Sequence, residues 1–447
     1  MDTYRELFRT PEYPSLFATA SLQVAGQTVS GLALGSLVYA STGSPLLSAL
    51  AMFGPSLAQV VGALTLLSAA DRVPPRAALV GLALFLGLAT AAQATPGLPT
   101  AGALALVLVE GVPSALGGGV RYGLLTDMLP RDGYLLGRSV LNMSGGVCQI
   151  LGYALGGLLV AVLSARGTLL VGAGLYVLAA VVARCGLSRH PARAAGRPSP
   201  RETMRGNAAL WSSVPRRYVY LALWVPNGLI VGCEALFVPY DTGHAGVLLA
   251  SAALGMLAGD VLTGRFLPPR WRARLAAPLR LLLAAPYLVF ALRPALPFAV
   301  AAVALASVGF SAGLLLQERL MALTPERLSG HALGLHTAGM LTMQGVGAVL
   351  AGALAQATSP GTAMTALAVA SVAVTLSLGR GLKGEPVSPE QPISPGEPTS
   401  PGEPVSPEQP ISPGEPTSPA EPVSPPAASA SAADDACTTP RPRPRTP

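Results

Sequence analysis

Residues 100–120 read TAGALALVLVEGVPSALGGGV, a run in which Glu110 is the one ionisable side chain. A helix of that length is about 30 Å long, the thickness of the hydrocarbon layer of a bilayer. It is apolar on every side, whereas a helix on a soluble core keeps a polar face. Residues 168–182, TLLVGAGLYVLAAVV, repeat the pattern, and across 447 residues 51% are hydrophobic and 11% charged. A soluble domain carries about 25% charged residues, so the chain is read as an integral membrane protein.

Working outward, apolar stretches lie near 14–38, 46–68, 77–95, 101–125, 136–163 and 168–185, then near 217–239, 246–267, 276–293, 296–317, 330–356 and 361–380. Arginine tests the count of twelve. Arg5, Arg9, Arg72, Arg76, Arg131, Arg138, the cluster from Arg184 to Arg217, Arg265 to Arg280, Arg319, Arg327 and Arg380 fall in alternate loops, and the opposite loops hold Arg166 and Arg293. The positive-inside rule therefore predicts an even number of spans with both termini in the cytoplasm of a multi-pass cell-membrane protein. Helices rather than a barrel are expected, because the alternating ten-residue stretches of a barrel are absent.

The composition also excludes. The net charge of +7 comes from arginines spread through short loops, with Lys383 the one lysine, so nucleic acid is not expected as a partner. The arginine, alanine, glycine and proline richness points to a high-GC, actinobacterial coding bias. Cys148, Cys185, Cys233 and Cys437 have no metal-ligand spacing, so free thiols and no metal are expected. The first thirteen residues are short and charged, so no cleavable signal is expected before the first span. No P-loop is present and no nucleophile, base and orienting group assemble, so neither an ATP-driven pump nor an enzyme is expected.

The halves repeat. Residues 129–159, LPRDGYLLGRSVLNMSGGVCQILGYALGGLL, align without a gap on 324–354, TPERLSGHALGLHTAGMLTMQGVGAVLAGAL, which matches Pro130, Gln149, Gly152 and Gly157 to Pro325, Gln344, Gly347 and Gly352. Pro74, Pro75 and Arg76 echo as Pro268, Pro269 and Arg270. The pattern predicts a six-helix bundle over 1–185, a basic cytoplasmic linker over 186–216, a second parallel bundle over 217–382, and a tail over 383–447.

The loop SAADRVPPRAAL at 68–79 resembles the signature loop of the major facilitator superfamily, keeping Asp71, Arg72 and Arg76 but with Leu67, Pro74 and Pro75 where the family has two glycines and a basic residue. GYALGG, with Gly152, Gly156 and Gly157, resembles the span-five element of the family's drug and proton antiporters, though Tyr153 stands in place of its proline. LFRTPEYPSLFATASLQVAGQTVSGLALGSLVYASTGSP at 7–45 is similar to the first helix of the macrolide-efflux branch, with Gln27 where an aspartate is common. The resemblance covers about 1–380. It implies the superfamily's twelve-helix fold, alternating access, a gating latch at Asp71, Arg72 and Arg76, and efflux of a drug or natural product. For the three glycines, close packing of small residues is the alternative to an antiporter element.

Ionisable groups at mid-membrane are functional candidates by default. Glu110 leads, because a carboxyl group at that depth can load and release a proton as access alternates. Pro113 and Gly117 to Gly119 should soften the helix beyond it. Glu234 and Asp260 are further proton-coupling candidates, or else reach to an interface, and the sequence Pro226-Asn227-Gly228 should kink or unwind span seven. Thr19, Gln23, Gln27 and Ser30 share one face of span one, as a neutral substrate-cavity stripe or as a packing face. Asn142, Gln149 and Asn227 are further cavity candidates. Arg121, near the inner end of span four, could attract an anionic substrate, but pairing with Asp127 or a topology role is the leading expectation; His190 and His244 are expected to be solvated, and His331 and His336 could join a proton path.

From Glu385 an eighteen-residue unit, EPVSPEQPISPGEPTSPG, repeats nearly intact, and proline at such density predicts a disordered, polyproline-like spacer. The leading expectation is a monomeric, proton-driven exporter with membrane lipids around it, a small, moderately hydrophobic solute as substrate, and no cofactor beyond the proton gradient. The alternatives are an importer or uniporter of a small solute, or a transport-inactive sensor or scaffold acting through its tail.

Overall fold

The computed structural model describes residues 4–66, 73–192, 200–325 and 328–382. After a short helix, Tyr4–Arg9, come α1 (Tyr13–Thr42), α2 (Pro45–Leu66), α3 (Pro75–Gln93), α4 (Thr100–Met128) and α5 (Arg131–Gly186). Then follow α6 (Pro200–Trp211), α7 (Val214–Glu234), α8 (Ala245–Val261), α9 (Pro269–Ala284), α10 (Leu296–Val308), α11 (Ala312–Ala322), α12 (Ser329–Ala357) and α13 (Pro360–Leu382). No strand occurs among the described residues. The expected tail and the Asp71 and Arg72 part of the expected latch lie outside them.

Ten helical stretches among the described residues are long and apolar enough to cross a membrane, against twelve expected. Both differences have a physical reason. The helix α1 is not among the ten, since Thr19, Gln23, Gln27, Thr28, Ser30 and Ser36 dilute its hydropathy. The stretch Leu136–Gly186, in contrast, is counted once although the chain reverses within it. Ser164 there has φ 73° and ψ 164°, a backbone region nearly reserved for glycine. The Ser164 carbonyl accepts the Thr168 hydroxyl at 2.8 Å, at the start of the returning limb. Packing proves the reversal: Gly152 and Gly156 meet Thr28 and Leu32 of α1, and Gly172 and Gly186 meet Ser30 and Ser15 in the opposite order.

Proline and glycine set the irregular turns. The missing N–H of Pro286 converts the end of α9 into a 3-10 stretch, Ala285–Leu292. A π-helical turn, Leu262–Phe266, closes α8 just before Pro268 and Pro269. The expected unwinding at Pro226 does not occur, for α7 is helical throughout. Gly228 lets it lie directly on the backbone of α12 at Met343, which braces the helix across the proline. Within the stretch assigned as linker, residues 200–211 form α6, whose Trp211 stacks on Trp224 at 5.8 Å.

Calling the end of the bundle with Tyr13 and Leu382 the terminal end and the opposite one the far end, the connections at the far end are short. They are Gly43–Ser44, the Ser164 turn, Asp241–His244 after a four-residue helix, Phe237–Tyr240, that follows α7, Arg293–Ala295 and Thr358–Ser359, with 94–99 the longest. Within the second half, α7 packs on α12 and α13. A Cβ at Gly347 would fall on the Gly228 carbonyl, and backbone cannot step aside. Gly347→Leu is therefore expected to cost about 1–3 kcal/mol by overpacking, measured as a lower thermal midpoint of the purified protein in detergent; an unchanged midpoint would refute this contact.

Candidate functional site

The first half encloses a cavity of about 110 Å³ between α1, α2, α3, α4 and the second limb of α5. Its polar wall is Gln23 and Gln27 from α1, Gln59 from α2, and Glu110, Ser114 and Arg121 from α4. Leu82, Leu86 and Tyr176 make its apolar side. Glu110 and Arg121 lie eleven residues apart, three helical turns, so one face of α4 carries both charges into one cavity.

Neither charge has a counter-ion there. Glu110 Oε1 accepts a hydrogen bond from Gln93 Nε2 at 3.0 Å, and Ser114 donates to the Glu110 carbonyl at 2.7 Å. Arg121 donates Nη2 to Gln23 Oε1 at 3.0 Å rather than reaching the expected Asp127. Gln23, 7% exposed, has its own Nε2 left without a hydrogen-bond partner. The site thus holds a carboxyl, a guanidinium and an unused amide donor, each oriented by neutral amides.

The span-one stripe divides. Gln23 and Gln27 line the cavity, but Thr19 returns its hydroxyl to the Ser15 carbonyl at 2.7 Å and Ser30 packs on Gly172. Asn142 lies outside that wall and accepts the Tyr122 hydroxyl at 2.8 Å; Gln149 is half-buried on the same limb of α5. Asn227 accepts from Gln344 Nε2 at 3.2 Å, so two polar residues of the second half satisfy each other. Glu234 is 5% exposed at the far end of α7, away from the cavity, with Oε1 unpartnered. Asp260 is exposed near the terminal end of α8. Gln59, Ser114 and Tyr176 escaped the sequence reading; a polar residue inside an apolar span was the available signal for the first two.

Outside the cavity, Arg76 donates to the Arg184 carbonyl, tying the start of α3 to the end of α5. Gly152 and Gly156 seat α5 on α1, and Gly157 touches Gly246 of α8 across the two halves. Of the two histidines expected to be solvated, His190 is partly buried and bonds Glu12 at 3.1 Å, while His244 is exposed and bonds Asp241 at 2.9 Å; His336 is buried. Glu12, outside the spans, loses some solvation, yet hydrogen bonds from Ser188 and His190 outweigh this and hold its carboxyl below the usual range.

The halves meet at the far end. Leu32 packs in one buried cluster with Ile230, Leu236 and Phe237, Ala49 packs with Ala235 and Ala348, and Ser44 donates to Gln356 at 3.1 Å. At the terminal end the buried clusters belong to one half each, around Leu124 and Leu125 in the first and around Tyr220 and Leu320 in the second. The described fold is therefore closed at the far end and parted at the terminal end.

A family model described as Major Facilitator Superfamily matches residues 16–317. No curated protein matches the sequence. Among solved structures, the chain is similar to a POT family transporter in complex with a thioalcohol conjugated peptide, at 11% identity and TM-score 0.65, covering 82% of this chain and 95% of that one. It is also similar to a POT peptide transporter in complex with sulfate, at 14% identity and TM-score 0.66, covering 85% and 98%. A bacterial homolog of the human lysosomal transporter Spinster, inward-facing and unoccupied, matches at 16% identity and TM-score 0.60, covering 86% and 96%.

Proposed function

The chain belongs to the major facilitator superfamily, and from that premise we propose that it is a proton-coupled exporter of a small amphiphilic molecule. It is a secondary transporter of multi-pass membrane type, not an enzyme. The observation that carries the finer reading is the pairing of Glu110 and Arg121 with neutral glutamines in one cavity. A carboxyl without a cationic partner is free to exchange a proton with whichever side has access. A guanidinium whose one bonded partner is an amide is available to a carboxylate or other anionic group, which it binds as a fork. Leu82, Leu86 and Tyr176 suit the apolar part of such a solute.

With the termini in the cytoplasm, the arrangement described here faces inward. Loading Arg121 from inside, opening the far end and exchanging the solute for a proton at Glu110 completes an export cycle by alternating access. The efflux direction draws on the resemblance of residues 7–45 and of Gly152, Gly156 and Gly157 to drug antiporters. Arg76 would serve the latch by fixing α3 against the end of α5.

Transport into inverted vesicles tests the reading. Solute should accumulate when the lumen is acidified, and the accumulation should collapse on adding a protonophore; accumulation that ignores the gradient, or that runs only in right-side-out vesicles, refutes coupled export. Arg121→Gln tests the solute assignment. For an aryl carboxylate its KM should rise about 10- to 100-fold, the worth of one charged hydrogen bond, while the matching primary amide is transported as before. Equal effects on acid and amide would refute a role for Arg121 in charge recognition.

A further inference from the structure

Where α9, α11 and α13 reach the terminal end, a second cavity of about 540 Å³ opens in the half that lacks the Glu110 site, and the two cavities share no residue. Arg272, Arg274 and Arg280 of α9 and Arg319 of α11 line it, with Glu318 the one carboxylate among the lining residues. Arg272 takes that carboxylate at 3.2 Å, and Arg319 donates to the Leu382 carbonyl. Arg274 is exposed, held only over the Trp271 ring at 5.8 Å. Arg280 is 3% exposed; its Nε reaches the Ala276 carbonyl at 3.3 Å, but its Nη1 has no hydrogen-bond partner. Like charges gathered in a low-dielectric wall repel one another, and a buried guanidinium nitrogen without an acceptor is costly. Both liabilities disappear when a doubly accepting anion enters, because phosphate oxygens match the guanidinium fork.

The remaining walls decide the source of that anion. Ala277, Leu315, Leu316 and Leu382 are apolar, too much so for a free ion that brings its own hydration shell. Trp271, under Arg274 of the pocket, and Phe266, just before α9, are exposed, and exposed aromatic rings at helix ends are favoured where tails meet headgroups. We propose that this pocket is a binding site for an anionic phospholipid, its phosphate between Arg274 and Arg280 and an acyl chain along Leu315 and Leu316. A lipid so held ties the ends of α9, α11 and α13 together, as basic pockets between helices do on the cytoplasmic side of other membrane proteins.

Native mass spectrometry of the full chain in detergent, titrated with phosphatidylglycerol or phosphatidylcholine, is the test. The wild-type protein should retain one phosphatidylglycerol under activation that strips phosphatidylcholine, and Arg274→Gln, an exposed position, should weaken that binding on the order of 10-fold. Arg280→Gln should weaken it at least as much if it folds, and if it does not the Arg274 result decides alone. Unchanged phosphatidylglycerol binding in Arg274→Gln overturns the site. Equal retention of phosphatidylcholine, or displacement of phosphatidylglycerol by millimolar inorganic phosphate, overturns the anionic lipid as its occupant.

Discussion

Glu110→Gln should abolish gradient-driven transport while leaving downhill exchange of the same solute in place. The geometry isolates ionisation from structure: Glu110 Oε1 is the acceptor for Gln93 Nε2, and a glutamine at 110 keeps an oxygen there. The Ser114 hydroxyl donates to the backbone carbonyl of residue 110, a contact the substitution leaves untouched. What the variant loses is the exchangeable proton, so accumulation against a gradient should fall by roughly tenfold or more, with solute binding and thermal midpoint near wild type. Glu110→Asp keeps a carboxyl and should retain part of the coupling. Reconstituted Glu110→Gln that still concentrates solute under an imposed pH gradient would remove Glu110 from the mechanism and leave Glu234 as the next carboxyl to test.

Gly246→Val should produce the second large effect, by a conformational rather than a chemical route. A Cβ at Gly246 would sit 2.7 Å from the Gly157 Cα and 2.7 Å from the Tyr153 carbonyl oxygen, backbone atoms of the opposite half. Overpacking of this kind costs about 1–3 kcal/mol, and here the cost applies only to the arrangement with the far end closed. The population ratio of closed to open far ends should therefore fall roughly 5- to 150-fold. Ala49, buried between the halves against Ala235 and Ala348, reports it: Ala49→Cys should resist a membrane-impermeant maleimide in the parent and react in the Gly246→Val background, and transport should drop in step. Continued protection of Ala49→Cys, with normal transport, would show that this crossing does not open.

These two residues differ in how far they were legible beforehand. Glu110 was readable because an acidic side chain interrupts an otherwise apolar span, and its importance does not depend on knowing its partner. Gly157 was readable only as a small residue near two others; that Gly152 and Gly156 seat α5 within its own half while Gly157 meets the other half is a property of the α5–α8 crossing. The Asp127 pairing offered for Arg121 differs for the same kind of reason, since sequence proximity suggested Asp127 while its partner is 98 residues away in α1. The span-one stripe divides between its two readings, cavity and packing, because a straight helical face meets different neighbours along its length. Gln23 and Gln27 face the cavity, and Ser30, on the same face, has already reached the second limb of α5. Twelve apolar stretches were legible in the sequence; the count of ten differs from them where polar residues dilute α1 and where the chain reverses at Ser164 without a loop.

The turn at Ser164 and the two- to six-residue links beside it leave the far face almost without loops. Proteases need an extended segment of several residues to enter their clefts, so trypsin applied to that face, where Arg166 and Arg293 are the available basic residues, has nothing it can thread. For anyone wanting to tag or recognise the protein on intact cells, the same feature leaves few places for a loop insertion and makes 94–99, with Thr95 to Gly97 exposed, the roomier address.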